Sequence, residues 1–151
     1  MMMAYDEHYR TAATSGPVAS LPWVNQAVVN ILEEVPREKL LLGLPFYNRI
    51  WREIALGDEP PANVEWGMAR TREHFEANGV EWTWNASLGS YEGEFSVVYD
   101  GEVIWYRVWL ECERSIAAKM QIFVVHDLAG VAGWRRLLET YEVQEVIAGF
   151  F

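Results

Sequence analysis

The sequence predicts an α/β fold with parallel strands, and three observations carry that expectation. Short apolar runs alternate with stretches whose apolar residues recur every three or four positions, the order in which parallel sheets are built. One of those runs, "KLLLGLPF", is apolar almost without a break, as a strand covered on both faces must be. The alternation is interrupted once, by a middle stretch rich in Val, Tyr and Trp that reads as antiparallel strands.

The elements follow in order. Met1 to Ala4 form an apolar run, and residues 1–6 are expected as a first strand. "EHYRTAATSGPVAS" is loop-like in its Ser, Thr, Gly and Pro content. Ser20 is a good helix N-cap, and Pro22 suits a first turn. Val24, Ala27, Val28, Ile31, Leu32 and Val35 then mark an amphipathic helix over 20–35, ended by Pro36. Residues 39–46 are the second strand. "GDEPPANVEWG" reads as an acidic, Pro-rich connector, and "MARTREHFEANG" as a short helix stopped by Gly79. In the strand-like stretch that follows, Asp100-Gly101 signals a tight hairpin. Residues 64–111 are therefore expected as a small α+β insertion. A helix over 115–126, a strand over 128–134 with three small residues, and a last helical stretch from Arg135 complete the pattern.

Composition bounds the function. The 151 residues are 51% hydrophobic and 14% aromatic, which is material for a packed core. The net charge of −10 repels phosphate backbones and anionic bilayers, so neither nucleic acid nor a membrane is expected as a partner. An uncharged glycan is compatible with it. Cys112 stands alone and reads as a small buried residue; no Cys/His spacing suggests zinc. Asp6, Glu7 and His8 are adjacent, but consecutive residues of an extended chain point apart, so no metal and no cofactor are expected. His74 and His126 read as surface or helix-end residues, and Glu111 and Glu113 as carboxylates near a helix start. No stretch reaches the roughly 18 apolar residues of a membrane span. No basic segment precedes the apolar start, as a signal peptide would require, and the compartment stays open.

Parallel strands present their C-terminal ends on one side, and ligands bind at that rim. The residues there are Tyr5 and Asp6, then Tyr47 and Arg49, then Trp134 and Arg135. Aromatic rings with a few hydrogen-bonding groups suit a sugar: Trp packs on the C–H face of the ring, and Asp, Tyr and Arg take the hydroxyls.

At this point "MAYDEHY", "EKLLLGLPFYNRIW" and "DLAGVAGWR" resemble, in order and spacing, strands six, seven and eight of glycoside hydrolase family 18. "SGPVASLPWVNQAVVNILEEVPREKLLLGLPFY" is similar to its bacterial branch associated with LysM repeats and spore-cortex peptidoglycan. The resemblance implies residues 1–151 as the C-terminal portion of a TIM (β/α)₈ barrel, entered partway along strand six. The 64–111 insertion then lies between strands seven and eight. A whole barrel takes about 250 residues. The implied activity is retaining hydrolysis of glycans containing N-acetylglucosamine, chitin or peptidoglycan, in which the substrate's own acetamido oxygen is the nucleophile. By resemblance Tyr5 holds that oxygen and Asp6 accepts from a sugar hydroxyl. Trp134 floors the ring. Tyr47 and Arg49 line the cleft, with Arg49 able to pair with Asp6. The implied location is extracellular or the spore envelope.

The general acid of the family closes a DxxDxDxE motif, and these 151 residues do not contain that spacing. Two further departures are Asn48, where many relatives carry a small residue or Thr, and "RRLL" after Trp134. Two other functions therefore stay open beside the glycosidase: a non-catalytic carbohydrate-binding or assembly module, and an inactive gene remnant. Three strands of a barrel leave open edges, so the expected partners include a missing N-terminal barrel part or a second copy of the chain.

Overall fold

A computed structural model describes residues 1–54 and 62–151. Two sheets share the chain. A two-stranded parallel sheet pairs β1 (Leu41–Pro45) with β7 (Gly130–Trp134), in register from Leu41 opposite Gly130 to Pro45 opposite Trp134. A five-stranded antiparallel sheet has the order β3-β2-β6-β5-β4. Its strands are β2 (Tyr47–Ile54), β3 (Ala62–Gly67), β4 (Thr83–Asn85), β5 (Ser90–Tyr99) and β6 (Glu102–Leu110). The chain passes from the first sheet into the second through Phe46 alone, whose N–H donates to the Trp134 carbonyl at 2.6 Å.

The parallel pair is the buried strand pair the apolar runs predict. Leu42 and Leu44 are fully covered, packed with Val24 and Val28 of α1 (Leu21–Ile31), Ile116 and Met120 of α3 (Glu113–Val125), and Val143 of α4 (Tyr141–Ala148). Two glycines make the close approach possible. A Cβ on Gly43 would lie 2.6 Å from the Met2 carbonyl, and one on Gly133 would collide with the Phe46 ring. The second core is aromatic: Phe75 of α2 (Met68–Ala77) packs on Ile50 and Val108, with Trp82 and Phe95 at its edge. Gly79 follows α2 at φ +76°, the left-handed stop the sequence predicts. Asp100 and Gly101, at φ +52° and +81°, form the hairpin turn joining β5 to β6.

Five expectations are corrected. The first strand, expected over 1–6, is a single parallel bridge of Met2 to Leu42. The Ala4 N–H turns back to the Met2 carbonyl at 3.1 Å, which bends the chain off the ladder. The first helix ends at Ile31 rather than Val35, with Glu33, Glu34 and Val35 in turns bonded to Asn30 and Ile31. The expected Pro-rich connector contains β3 over Ala62–Gly67; its residues 57–61 lie outside the described residues. Residues 47–54, expected as a strand end and its tail, are β2, so the antiparallel sheet starts well before residue 64. The last helix begins at Tyr141, and Arg135 to Glu139 form bends and turns.

Glu111 and Glu113 stand at the start of α3, as expected; what the sequence did not show is that Glu111, directly before the Cys112 N-cap, is buried, at 1% exposed. Lys119, fully buried, donates to both its oxygens at 2.9 Å, and the Ser115 hydroxyl donates to one at 2.8 Å. Burial pushes the Glu111 carboxyl up, while Lys119 and Ser115 pull it back. Cys112 is buried, as expected, and burial pushes its thiol up.

A buried pair of this kind is expensive to break from one side, because the surviving charge has lost both water and partner. Lys119→Met is expected to lower stability by about 3–5 kcal/mol. Glu111→Gln combined with Lys119→Met should recover more than half of that loss. Urea denaturation midpoints of the three proteins measure both.

Candidate active site

Three side chains of the segment after Met2 fix its path outside the site. Ala4 is buried and anchors the turn. Glu7 reaches back to the start of α1, where its carboxylate accepts from the Ser20 N–H at 2.7 Å and the Ser20 hydroxyl at 3.0 Å. Ser20 thus occupies the N-cap position while its hydroxyl serves Glu7. His8 Nδ1 lies 3.0 Å from the Pro17 carbonyl. These contacts close the 8–17 loop, and the Gly16 carbonyl accepts from the Trp51 indole at 2.8 Å. Among the described residues no group of three His, Cys, Asp or Glu side chains is placed to hold a metal.

Asp6 turns the other way. Its φ of +65° puts a non-glycine residue in the left-handed region, a conformation that costs free energy and persists where neighbours hold it. Two neighbours do so. The Tyr47 hydroxyl donates to Asp6 Oδ1 at 2.5 Å, and Arg49 Nη2 donates to the same oxygen at 2.8 Å. Arg49 also meets Glu65 Oε1 at 2.8 Å and donates from Nη1 to Asn63 Oδ1 at 3.0 Å. Its side chain is 2% exposed, while Asp6 and Glu65 are 46% and 55% exposed. Asp6 Oδ2 accepts no hydrogen bond among the described residues.

Strand geometry explains the grouping. Tyr47, Arg49 and Trp51 alternate with Asn48, Ile50 and Arg52, so the first three share one face of β2. Antiparallel pairing places Glu65 of β3 opposite Arg49 and Gly67 opposite Tyr47. Tyr5 meets Tyr47 edge-on, with ring centroids 6.2 Å apart, and stays half-buried. Its hydroxyl makes no hydrogen bond among the described residues. Burial, then the Asp6 carboxylate, pushes the Tyr5 hydroxyl above its ordinary value. Tyr47 is raised much further, first by burial, then by its hydrogen bond to Asp6 and that residue's charge, against a lowering pull from Arg49.

Of the five residues the sequence singled out, Tyr5, Asp6, Tyr47 and Arg49 form one linked cluster. Trp134 does not join its hydrogen bonds. It stands at the C-terminal end of β7, opposite Pro45 and 55% exposed, and the Trp134–Arg135 peptide is cis. Asn63 and Glu65 were missed, because the stretch holding them read as a connector. A cavity of about 450 Å³, lined by Met68, Arg72, Cys112, Glu113 and Tyr141 among others, lies elsewhere and touches none of the five.

Comparison with known proteins gives the family and the fold. The family model for glycosyl hydrolases family 18 matches residues 1–138. A curated relative, the sporulation-specific glycosylase YdhD of Bacillus subtilis, is 26% identical over 137 residues, covering 91% of this chain and 31% of the relative. Among solved structures, a chitinase from Chromobacterium violaceum superposes with a TM-score of 0.83 at 24% identity, covering 98% of this chain and 44% of the other. The Bacillus cereus spore cortex-lytic enzyme SleL superposes at 0.83 and 16% identity, covering 99% and 33%. The chain thus spans about a third of YdhD and SleL and less than half of the chitinase.

The raised Tyr47 hydroxyl has a consequence for alkaline stability. In the unfolded chain it ionises near pH 10, while the folded protein keeps it protonated to higher pH. The stability it contributes is therefore complete below about pH 10 and lost as pH rises towards the folded value. Relative to Tyr47→Phe, the wild type should lose about 1.4 kcal/mol per pH unit above 10. Denaturant unfolding at stepped alkaline pH measures the difference between the two slopes.

Proposed function

The chain belongs to glycosyl hydrolases family 18, and from that premise we propose that it forms the sugar-holding side of a glycosidase cleft for N-acetylglucosamine-containing glycans. The observation that carries the reading is the Asp6–Tyr47–Arg49 cluster. Among the described residues it leaves one carboxylate oxygen and the Tyr5 hydroxyl without a hydrogen bond, and the half-exposed Trp134 ends the parallel strand paired with β1.

In the proposed site each residue has a task its geometry suits. The Tyr5 hydroxyl donates to the acetamido oxygen and holds it beneath the anomeric carbon, for retaining hydrolysis in which that oxygen is the nucleophile. Asp6 Oδ2 accepts from a sugar hydroxyl. Trp134 takes the C–H face of the ring. Tyr47 and Arg49 are too deeply buried to meet much of a sugar, so they act through Asp6, fixing its carboxylate in one orientation. In barrel terms the Met2 segment, β1 and β7 stand for strands six, seven and eight. The antiparallel sheet with α2 is the insertion between seven and eight.

The proton for the leaving oxygen needs an acid, worth about 10² to 10⁴-fold. No DxxDxDxE spacing occurs in these 151 residues. Hydrolysis on this reading requires a polypeptide segment carrying that glutamic acid, packed against the open edge of the parallel strands. The missing spacing equally supports a second reading, a glycan-binding module without hydrolysis.

Titration of the full chain with the N-acetylglucosamine tetramer, followed by tryptophan fluorescence, tests the shared part. Saturable binding is expected, weakened at least about tenfold (1.4 kcal/mol) by Trp134→Ala. No saturable binding, or unchanged binding in Trp134→Ala, would overturn it. Incubated alone with an aryl-chitobioside, the chain should show no turnover. Turnover abolished by Tyr5→Phe would place an acid within these residues and contradict the division of labour.

A further inference from the structure

Asn48 lies between the two buried residues that hold Asp6, and its own side chain points to the opposite face of β2. It is fully buried. On one side β2 is paired with β3 along this whole stretch, Asn48 standing opposite Trp66. On the other side the pairing with β6 runs only from Trp51 opposite Arg107 to Ile54 opposite Ile104. The main-chain ladder to β6 therefore starts three residues beyond Asn48, and residues 47–49 lack its support.

The Asn48 carboxamide takes the place of that ladder. Its Oδ1 accepts from the Glu111 N–H at 2.6 Å, and its Nδ2 donates to the Glu111 carbonyl at 3.4 Å. A side-chain amide thus copies the donor and acceptor of a neighbouring strand. The residue it grips is itself fixed, because the Glu111 carboxylate is bound by Lys119 at 2.9 Å and Ser115 at 2.8 Å, both on α3. A continuous buried chain of polar contacts runs from the body of α3 to the start of β2.

We infer that Asn48 is a positioning residue: its carboxamide fastens the start of β2 to Glu111 and thereby sets Tyr47 and Arg49 on Asp6. It touches no substrate. Small side chains at this position cannot span to both groups of Glu111, and Thr can supply one oxygen but no amide donor. The inference concerns the orientation of Asp6 and rests on the proposed glycan site only where sugar binding is the readout.

Three full-length variants test it: Asn48→Ala, Asn48→Thr and, as a control, Phe75→Leu. The last weakens the aromatic core without touching β2's link to Glu111. Two measurements are made on each. Ultraviolet titration of tyrosine follows ionisation in the folded protein, and tetramer titration gives Kd. Asn48→Ala should let one additional tyrosine ionise before unfolding, at a pH moved down towards 10, and should weaken tetramer binding about tenfold. Asn48→Thr should fall between Asn48→Ala and wild type. Phe75→Leu should lower stability and leave both readouts at the wild-type values. A wild-type tyrosine titration in Asn48→Ala, or an equal change in Phe75→Leu, would overturn the inference. Should Asn48→Ala fail to fold, the tyrosine titration of Asn48→Thr decides by the same criterion. If the wild-type chain binds no tetramer, the glycan reading fails, and the tyrosine titration still decides the role of Asn48.

Discussion

The Arg49 guanidinium is the constraint on which the rest of this structure turns. A cation withdrawn from water must find acceptors in fixed positions, or the burial is too costly to keep. Here the acceptors come from two separate pieces of chain: Asp6 from the N-terminal segment, and Asn63 and Glu65 from β3, with Arg49 itself on β2. Pairing its two terminal nitrogens, while Nε has no partner among the described residues, thus ties the N-terminal segment to β2 and β3 at a single point. Asp6 can then hold a left-handed backbone, because Tyr47 and Arg49 both pull on one of its oxygens. The same pull leaves the other oxygen unpartnered among the described residues, so an interaction that organises the fold also prepares a hydrogen-bond acceptor at the rim.

Where apolar periodicity was pure, the sequence was readable. β1 and β7 showed as apolar runs with small residues, and both fell within the expected spans, parallel and in one sheet. α1 showed in its three- and four-residue spacing, α2 in its Gly79 stop, and the β5–β6 hairpin in Asp100-Gly101. Where polar residues are buried, the pattern was obscured. β2 reads "YNRIWREI", and its first five residues are all buried, Asn48 and Arg49 included. A polar residue buried by specific pairing leaves no hydrophobic trace, so β2 could not be told from a strand's polar tail. β3, beside Pro60 and Pro61, was hidden for a related reason. Glu65 becomes a partner of Arg49 only through the β2–β3 register, which no local pattern carries. Glu111 is a related case: its place at a helix start was readable, but its burial was not, because that depends on Lys119, eight residues on.

The candidate site was more legible than the sheet that supports it. Tyr5, Asp6, Tyr47 and Arg49 stood at the ends of apolar runs, and four of the five residues so chosen are joined in space. Their division into exposed and buried was not legible. Exposure separates Tyr5, Asp6 and Trp134 from the buried pair that fixes Asp6, and on the proposed reading the exposed three are the ones that meet the sugar. This separation fits substrate-assisted chemistry, in which the protein's work on this side of the cleft is to hold the acetamido group and ring rather than to supply a nucleophile. On the proposed reading the acid belongs to a different part of such a cleft; the chain spans 31% of YdhD, 44% of the Chromobacterium chitinase and 33% of SleL.

A crystal structure of the full chain grown with the N-acetylglucosamine tetramer tests most directly whether this rim is a sugar site. A pyranose ring lying on the Trp134 indole, with one of its hydroxyls donating to Asp6 Oδ2 while Tyr47 and Arg49 keep Oδ1, is the result expected. A tetramer bound away from Trp134 and Asp6, or an Asp6 released from Tyr47 and Arg49 when sugar is present, would contradict it.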